Sequence, residues 1–241
     1  MMYLIKNFIN SFFKIFNYKL IKIVDQFSNS FRLVLSFKEK NIDYVFDVGA
    51  NEGQFAKDLR YYGFEKKILS FEPVLTIHEK LVKNSLNDEK WEIYEPIALG
   101  NKSSKNEINI SQNSVSSSLL NMTSEHLESA PESKFIGKQS IMEKKLDDIF
   151  FDLNIKEKNL FLKIDTQGYE YEVLKGAEEV LKKFKGVLVE VSLTNLYEGQ
   201  KDWLEIVTFL KNRGFTLWSV DRGFSNKKNG KTLQLDICFF K

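Results

Sequence analysis

The chain has 241 residues, 43% hydrophobic and 28% charged, with a formal net charge of +2. That is the composition of a globular protein long enough to bury its own core, and the near-balanced charge gives no overall basic field for nucleic acid. The one cysteine, Cys238, excludes an internal disulfide and a multi-cysteine metal cluster, and the two histidines, His78 and His126, exclude a three-histidine metal site.

Residues 1–38 read as an N-terminal amphipathic helical segment. Leu4, Ile5, Phe8, Ile9, Phe12, Phe13 and Phe16 recur at helical spacing, with Asn7, Asn10, Lys14 and Asn17 opposite them. Asp25 is the segment's only acid. Such a basic amphipathic face suits packing on protein, including a second copy in a homo-oligomer, or contact with an anionic membrane surface through residues 1–30. Its polar residues interrupt both a secretory apolar region and a spanning run of about 18 apolar residues. The expected location is cytoplasmic, with the inner face of the membrane as a peripheral contact.

Residues 39–241 alternate between strands and helices. The pattern predicts strands at Tyr44–Val48, Lys67–Phe71, Trp91–Leu99, Leu160–Ile164, Val187–Ser192, Thr216–Val220 and Leu233–Phe240. Helices are predicted over Gln54–Tyr62, Leu75–Asn84, Tyr169–Phe184 and Trp203–Arg213. Repeated β-α-β units imply a doubly wound α/β sheet, mostly parallel and covered on both faces. The last two strands have no helix between them, which implies an antiparallel pair. Residues 100–145 break the rhythm. They are rich in serine, show little periodicity and follow the third strand, on the side where open α/β sheets bind ligands. They read as a lid or insert.

Three clues lie at strand ends. The first is DVGANEG, in which Asp47 is followed by Gly49 and Gly53. A dinucleotide fingerprint has a further glycine where Asn51 stands, so this loop is poorly made for a pyrophosphate. Asp47 and the loop amides suit a smaller, amino-acid-like group near a helix N-terminus. The second is Glu72, 23 residues after Gly49 and followed by Pro73. An acid there accepts hydrogen bonds from ribose hydroxyls. An amino acid joined to a ribose nucleoside is S-adenosylmethionine. The third is LKIDTQGYE, where an apolar strand delivers Asp165 to the same cleft and Gly168 keeps the turn open.

VFDVGANEGQF, SFEP, IALG, SSSLL, LKIDTQGYE, VLVEVSLTNLY and LDICFF occur in this order. Together they resemble the blocks of the FkbM family of S-adenosylmethionine-dependent methyltransferases, from about Phe31 to the end of the chain. The resemblance implies a class I methyltransferase fold, a Rossmann-like seven-stranded sheet of order 3-2-1-4-5-7-6 with the last strand antiparallel. It implies O-methylation of a sugar, a glycan or a related hydroxyl-bearing small molecule. The cofactor-binding set it implies is Asp47, Gly49, Ala50, Asn51 and Gly53 at the methionine end, Glu72 and Pro73 at the ribose, Ala98 near the adenine, and Asp165 facing the methyl group.

In-line transfer of a methyl group from the sulfonium to a hydroxyl oxygen needs an aligned acceptor and a base. Asp165 is the first candidate and Glu190, on the next strand, the second. His126, in the insert, is the third, and as a lone loop histidine it is expected to be exposed. The two carboxylates are also compatible with a divalent cation, although no dense ligand cluster favours a metal site. His78 and Cys238 read as structural, and the basic Arg222–Lys231 stretch reads as a solvated hairpin tip. The competing functional class is a non-catalytic cofactor-binding or peripheral membrane scaffold.

Overall fold

A computed structural model of the chain describes residues 28–241; most of the amphipathic segment expected over residues 1–38 lies outside them. Helix α1 (Asn29–Lys40) begins on Ser28, whose hydroxyl accepts the Phe31 N–H, and ends on Asn41 in the left-handed region. Its Leu33, Val34 and Phe37 are buried beside Val45 and Phe161. Residues 29–38, grouped by sequence with the N-terminal segment, therefore pack on the sheet.

From there the chain runs β1 (Tyr44–Val48), α2 (Gln54–Tyr61), β2 (Lys67–Phe71), α3 (Leu75–Ser85), β3 (Trp91–Ile93), β4 (Ile97–Leu99) and β5 (Ser104–Ser111). It continues with α4 (Ser124–Ser129), β6 (Phe135–Lys144), α5 (Leu146–Ile149), β7 (Leu160–Ile164), α6 (Glu170–Lys175) and β8 (Phe184–Ser192). The last elements are α7 (Trp203–Lys211), β9 (Thr216–Arg222) and β10 (Gln234–Phe240). The main sheet has seven strands in the order β3-β2-β1-β7-β8-β10-β9. Counted along the sheet's own strands, this is 3-2-1-4-5-7-6. All neighbours are parallel except β10, which is antiparallel to both β8 and β9.

The central strands are apolar on both sides because both faces are covered. In β1, Tyr44, Phe46 and Val48 face one core with Leu162 and Ile164, while Val45 faces the other with Phe161 and Phe240.

Three expected elements differ. The third strand splits: Pro96 cannot donate to a ladder, and after it β4 leaves the main sheet to pair with β6. The predicted helix over 169–184 is cut to α6, which ends at Gly176. A Cβ on Gly176 would lie 1.7 Å from the carbonyl oxygen of Gly100, so this helix end is pressed against the insert's backbone. The insert itself is ordered into strands, and β4, β6 and β5 form a second, three-stranded sheet. Its small core joins Ile108 and Ile141 to Val74, Ile77 and Ala98.

Candidate active site

Strands β1, β2 and β7 end level, with Val48 paired to Phe71 on one side and to Ile164 on the other. The chain leaves β1 at Gly49, where φ is +73°. A Cβ at this position would fall 1.8 Å from the carbonyl oxygen of Asp165, so only glycine lets the two strand ends approach this closely. The N–H groups of Gly49 and Ala50 both donate to the carbonyl of Phe71, at 3.1 and 3.0 Å. Asn51, at φ +49°, donates its N–H to Glu72 Oε2 at 3.0 Å. Its Nδ2 donates to the carbonyl of Ser114 at 3.0 Å, which ties the loop to the insert.

Glu72 is 6% exposed and accepts a second backbone N–H, from Val74, at 2.9 Å. Burial pushes its carboxyl up to about 7, against the pull of those two donors and of Lys163.

Lys163 is a site residue that the sequence reading missed. It stands opposite Asp47 in the β1–β7 register, and its Nζ lies 3.0 Å from Asp47 Oδ1. That contact is an ion pair without hydrogen-bond alignment. The ammonium instead donates to the carbonyls of Gly49, at 2.8 Å, and Val48, at 3.4 Å. Asp165 Oδ2 is 3.7 Å away. Burial opposes the charge on Lys163, but Asp47, Asp165 and Glu190 outweigh it and hold its pKa above the ordinary lysine value. The signal was present: a lysine inside the buried run LFLKI needs a carboxylate on a neighbouring strand, and FDV supplies one.

Two of the residues expected at the cofactor stand behind the cleft wall. Asp47 is fully buried, held by Lys163 and by the Ser70 hydroxyl at 3.3 Å, and is not among the cleft-lining residues. Gly53 sits against Trp91, where a Cβ would come within 2.4 Å of the ring, and it is also off the cleft wall. Both support the loop from behind.

At the end of β7, Asp165 and Gln167 form the other wall. Gln167 has a left-handed backbone, φ +55°, and four side-chain and backbone contacts hold it there. Its Nε2 donates to Asp165 Oδ1 at 2.8 Å and to Glu190 Oε2 at 2.9 Å. Its Oε1 accepts from the Tyr197 hydroxyl at 2.9 Å, and its carbonyl accepts from Ser118 Oγ at 2.7 Å. Glu190 takes a further hydrogen bond from Gln234 Nε2 at 2.6 Å. Burial, then Asp165, Asp236 and Glu170, push the Glu190 carboxyl well up. Behind the turn, Glu170 Oε1 accepts from Thr166 N, Thr166 Oγ1 and Gly168 N, at 2.9, 3.2 and 3.0 Å.

Between the β1 and β7 turns lies a cleft of about 380 Å³. Gly49, Ala50, Asn51, Glu72, Pro73, Ala98 and Asp165 all line it, so seven of the nine residues expected at the cofactor share one cavity. A second cavity, of about 260 Å³, lies across Gln167 and Asp165, which line both. Glu190 and His126 line the second one. His126 is 2% exposed, packed edge-on against Tyr197 and at a tilt against Phe224, contrary to the exposed loop histidine expected. Burial pushes its pKa down to about 4, so its imidazole is neutral at neutral pH. Among the described residues, no three His, Cys, Asp or Glu side chains are arranged to hold a metal ion.

The cleft fits S-adenosylmethionine on its own chemistry. A buried acid ends β2, a glycine turn exposes backbone beside it, and Phe71, Ile97, Leu99 and Leu119 give the remaining wall an apolar surface suited to a purine.

Residues 47–217 match the model of the methyltransferase FkbM domain. The chain belongs to this family. It is a class I, S-adenosylmethionine-dependent methyltransferase, with the sheet order described above. Over 175 residues it is 24% identical to the 2-O-methyltransferase NoeI of Sinorhizobium fredii, a match covering 70% of this chain and 71% of that protein. Among solved structures, the chain is similar to an rRNA methylase from Streptococcus thermophilus, at 15% identity and TM-score 0.47, covering 89% of this chain and 98% of that one. Fibrillarin from Aeropyrum pernix, solved with S-adenosyl-L-methionine bound, matches at 10% identity and TM-score 0.45, covering 88% and 76%. No described helix of the methyltransferase is long and apolar enough to cross a membrane.

Proposed function

We propose that this methyltransferase acts on a hydroxyl of a sugar, a glycan or a related small molecule. The reading is carried by the two carboxylates at adjacent strand ends, Asp165 and Glu190, which Gln167 bridges where the cofactor cleft meets the second cavity. When bound, the cofactor supplies a methyl group already activated by the sulfonium charge. The protein's part is then to align the acceptor and take its proton. Asp165, with 37% of its side chain exposed, reaches the cleft and is the group to which we assign that proton. Glu190 stays protonated more readily because it is buried among other acids, and it is assigned to acceptor binding. Glu72 is assigned to the ribose hydroxyls, and Gly49, Ala50 and Asn51 to the amino-acid end. The name of the 24%-identical relative, a 2-O-methyltransferase, supports oxygen as the methylated atom.

The test is a pair of variants assayed by product mass with a panel of glycosides. Asp165→Asn keeps shape but loses basicity, so turnover falls by about 100-fold or more while calorimetric affinity for the cofactor changes by less than a few-fold. Glu72→Ala reverses the pattern, weakening cofactor binding first. A chelator added to the wild type separates a base from a cation ligand at Asp165. Near-normal turnover in Asp165→Asn would remove Asp165 from the chemistry.

A further inference from the structure

The second cavity lies outside the cleft assigned to the cofactor and shares a wall with it. Gln167 and Asp165 stand between the two. Its lining is chemically uneven. Asp165, Glu190 and Glu132 supply carboxylates, and Gln234 supplies an amide. Phe224 and the neutral ring of His126 supply flat apolar surface. His126 Nδ1 is buried with no hydrogen-bond partner, an unmet polar group of a kind that folded proteins rarely leave without a purpose. Among the described residues, no lysine or arginine lines this cavity.

We infer that this cavity is the acceptor site, and that it selects an uncharged, hydroxyl-rich ring over any acceptor carrying a phosphate or carboxylate. The inference rests on the proposed hydroxyl methylation and adds both a place and a charge rule to it. Carboxylates accept hydrogen bonds from hydroxyls without needing a formal charge on the ligand. Asp165 and Glu132, in a lining without lysine or arginine, repel an anion, because the nearest ammonium, Lys163, stands behind Asp165 and is engaged by Asp47 and the loop carbonyls. Phe224 and His126 offer the face against which the C–H side of a ring packs. A hydroxyl on a ring held there meets Asp165 at the boundary of the cofactor cleft. His126 is a specificity-determining residue in this arrangement and not a base, because its imidazole has so little affinity for a proton.

Two histidines in the whole chain make the test direct. Histidine ring resonances of the full chain, saturated with demethylated cofactor, are followed while a methyl glycoside or the matching sugar phosphate is added. His78→Gln assigns the two signals. Neutral glycosides are expected to move the His126 signal saturably and leave His78 in place, and sugar phosphates to bind at least about tenfold more weakly. Glu132→Lys, at the exposed rim, is expected to shrink that gap several-fold with cofactor affinity unchanged. Phosphates that bind as well as neutral glycosides, or a gap that Glu132→Lys leaves intact, overturn the charge rule. A glycoside that is methylated without moving His126 overturns the cavity assignment while the methylation reading stands. A glycoside that moves His126 but is never methylated, under conditions where cofactor binds, does the reverse. No response from any glycoside overturns both.

Discussion

Lys163 is the residue on which the cofactor loop depends. It neutralises a fully buried aspartate and donates to two carbonyls of the turn that follows. Removing one partner of a buried ion pair leaves the other charge uncompensated, at a cost of about 3–5 kcal/mol. Lys163→Met should therefore lower stability by that order in urea unfolding and weaken cofactor binding. Adding Asp47→Leu to Lys163→Met should recover part of the stability but not the binding, because the loop carbonyls still lack their donor. A loss as small as that of an exposed ion pair would show that the pair is dispensable. The acids at strand ends were legible from sequence because a charged residue closing an apolar run has few structural uses. What Asp47 does was not legible. Its place in the motif does not reveal the lysine that pairs with it across β1 and β7, which only the strand register shows. The burial of His126 was equally hidden, since Tyr197 and Phe224, which enclose it, come from distant parts of the chain.

At the scale of elements, the β7–α6 turn is the best-determined piece of the site. Glu170 accepts three hydrogen bonds across it, and burial pushes its carboxyl up to about 7. The sign follows from linkage. The folded protein holds this proton more tightly than the unfolded chain, so the contribution is fully present below the unfolded value of 4.5 and is lost as pH rises through about 7. A shift of this size corresponds to about 3 kcal/mol at most. Glu170→Gln keeps an oxygen acceptor for the turn but cannot ionise. Its unfolding free energy should fall less steeply between pH 4.5 and 7 than that of the wild type, and parallel curves would remove Glu170 from the account. Elements of the main sheet were legible wherever an apolar run met glycine or proline. The insert was not. β5 is eight residues of mostly polar sequence, SKNEINIS, and it is held by its pairing with β6. Only Ile108 and Ile110 mark its inward face, too few for period-two alternation to stand out.

For the whole molecule, the strand order was readable and its cause is visible. β-α-β units lay down β1, β2, β3, β7 and β8 in parallel, and the missing helix before β10 turns the last strand back. β10 does not sit at the edge. It lies between β8 and β9, with Ile237, Cys238, Phe239 and Phe240 buried. Deleting residues 233–241 should therefore abolish cooperative unfolding of the whole domain, as read by circular dichroism on heating, and not merely fray one end. A truncated chain that kept a sharp transition would mean that β10 is an accessory.

That interior position has a consequence for how the chain is made. In chain order β10 is made after both of the strands it joins, β8 and β9. Until it arrives, β8 and β9 each carry a bare row of backbone donors and acceptors, the form in which sheets recruit other chains. A chain that lost β10 would yield an aggregating product and not a weakened enzyme. Lys241, whose ammonium donates to the carbonyls of Leu181 and Lys182, fastens the end of the same strand. Closure of the sheet therefore waits on β10, the strand between β8 and β9.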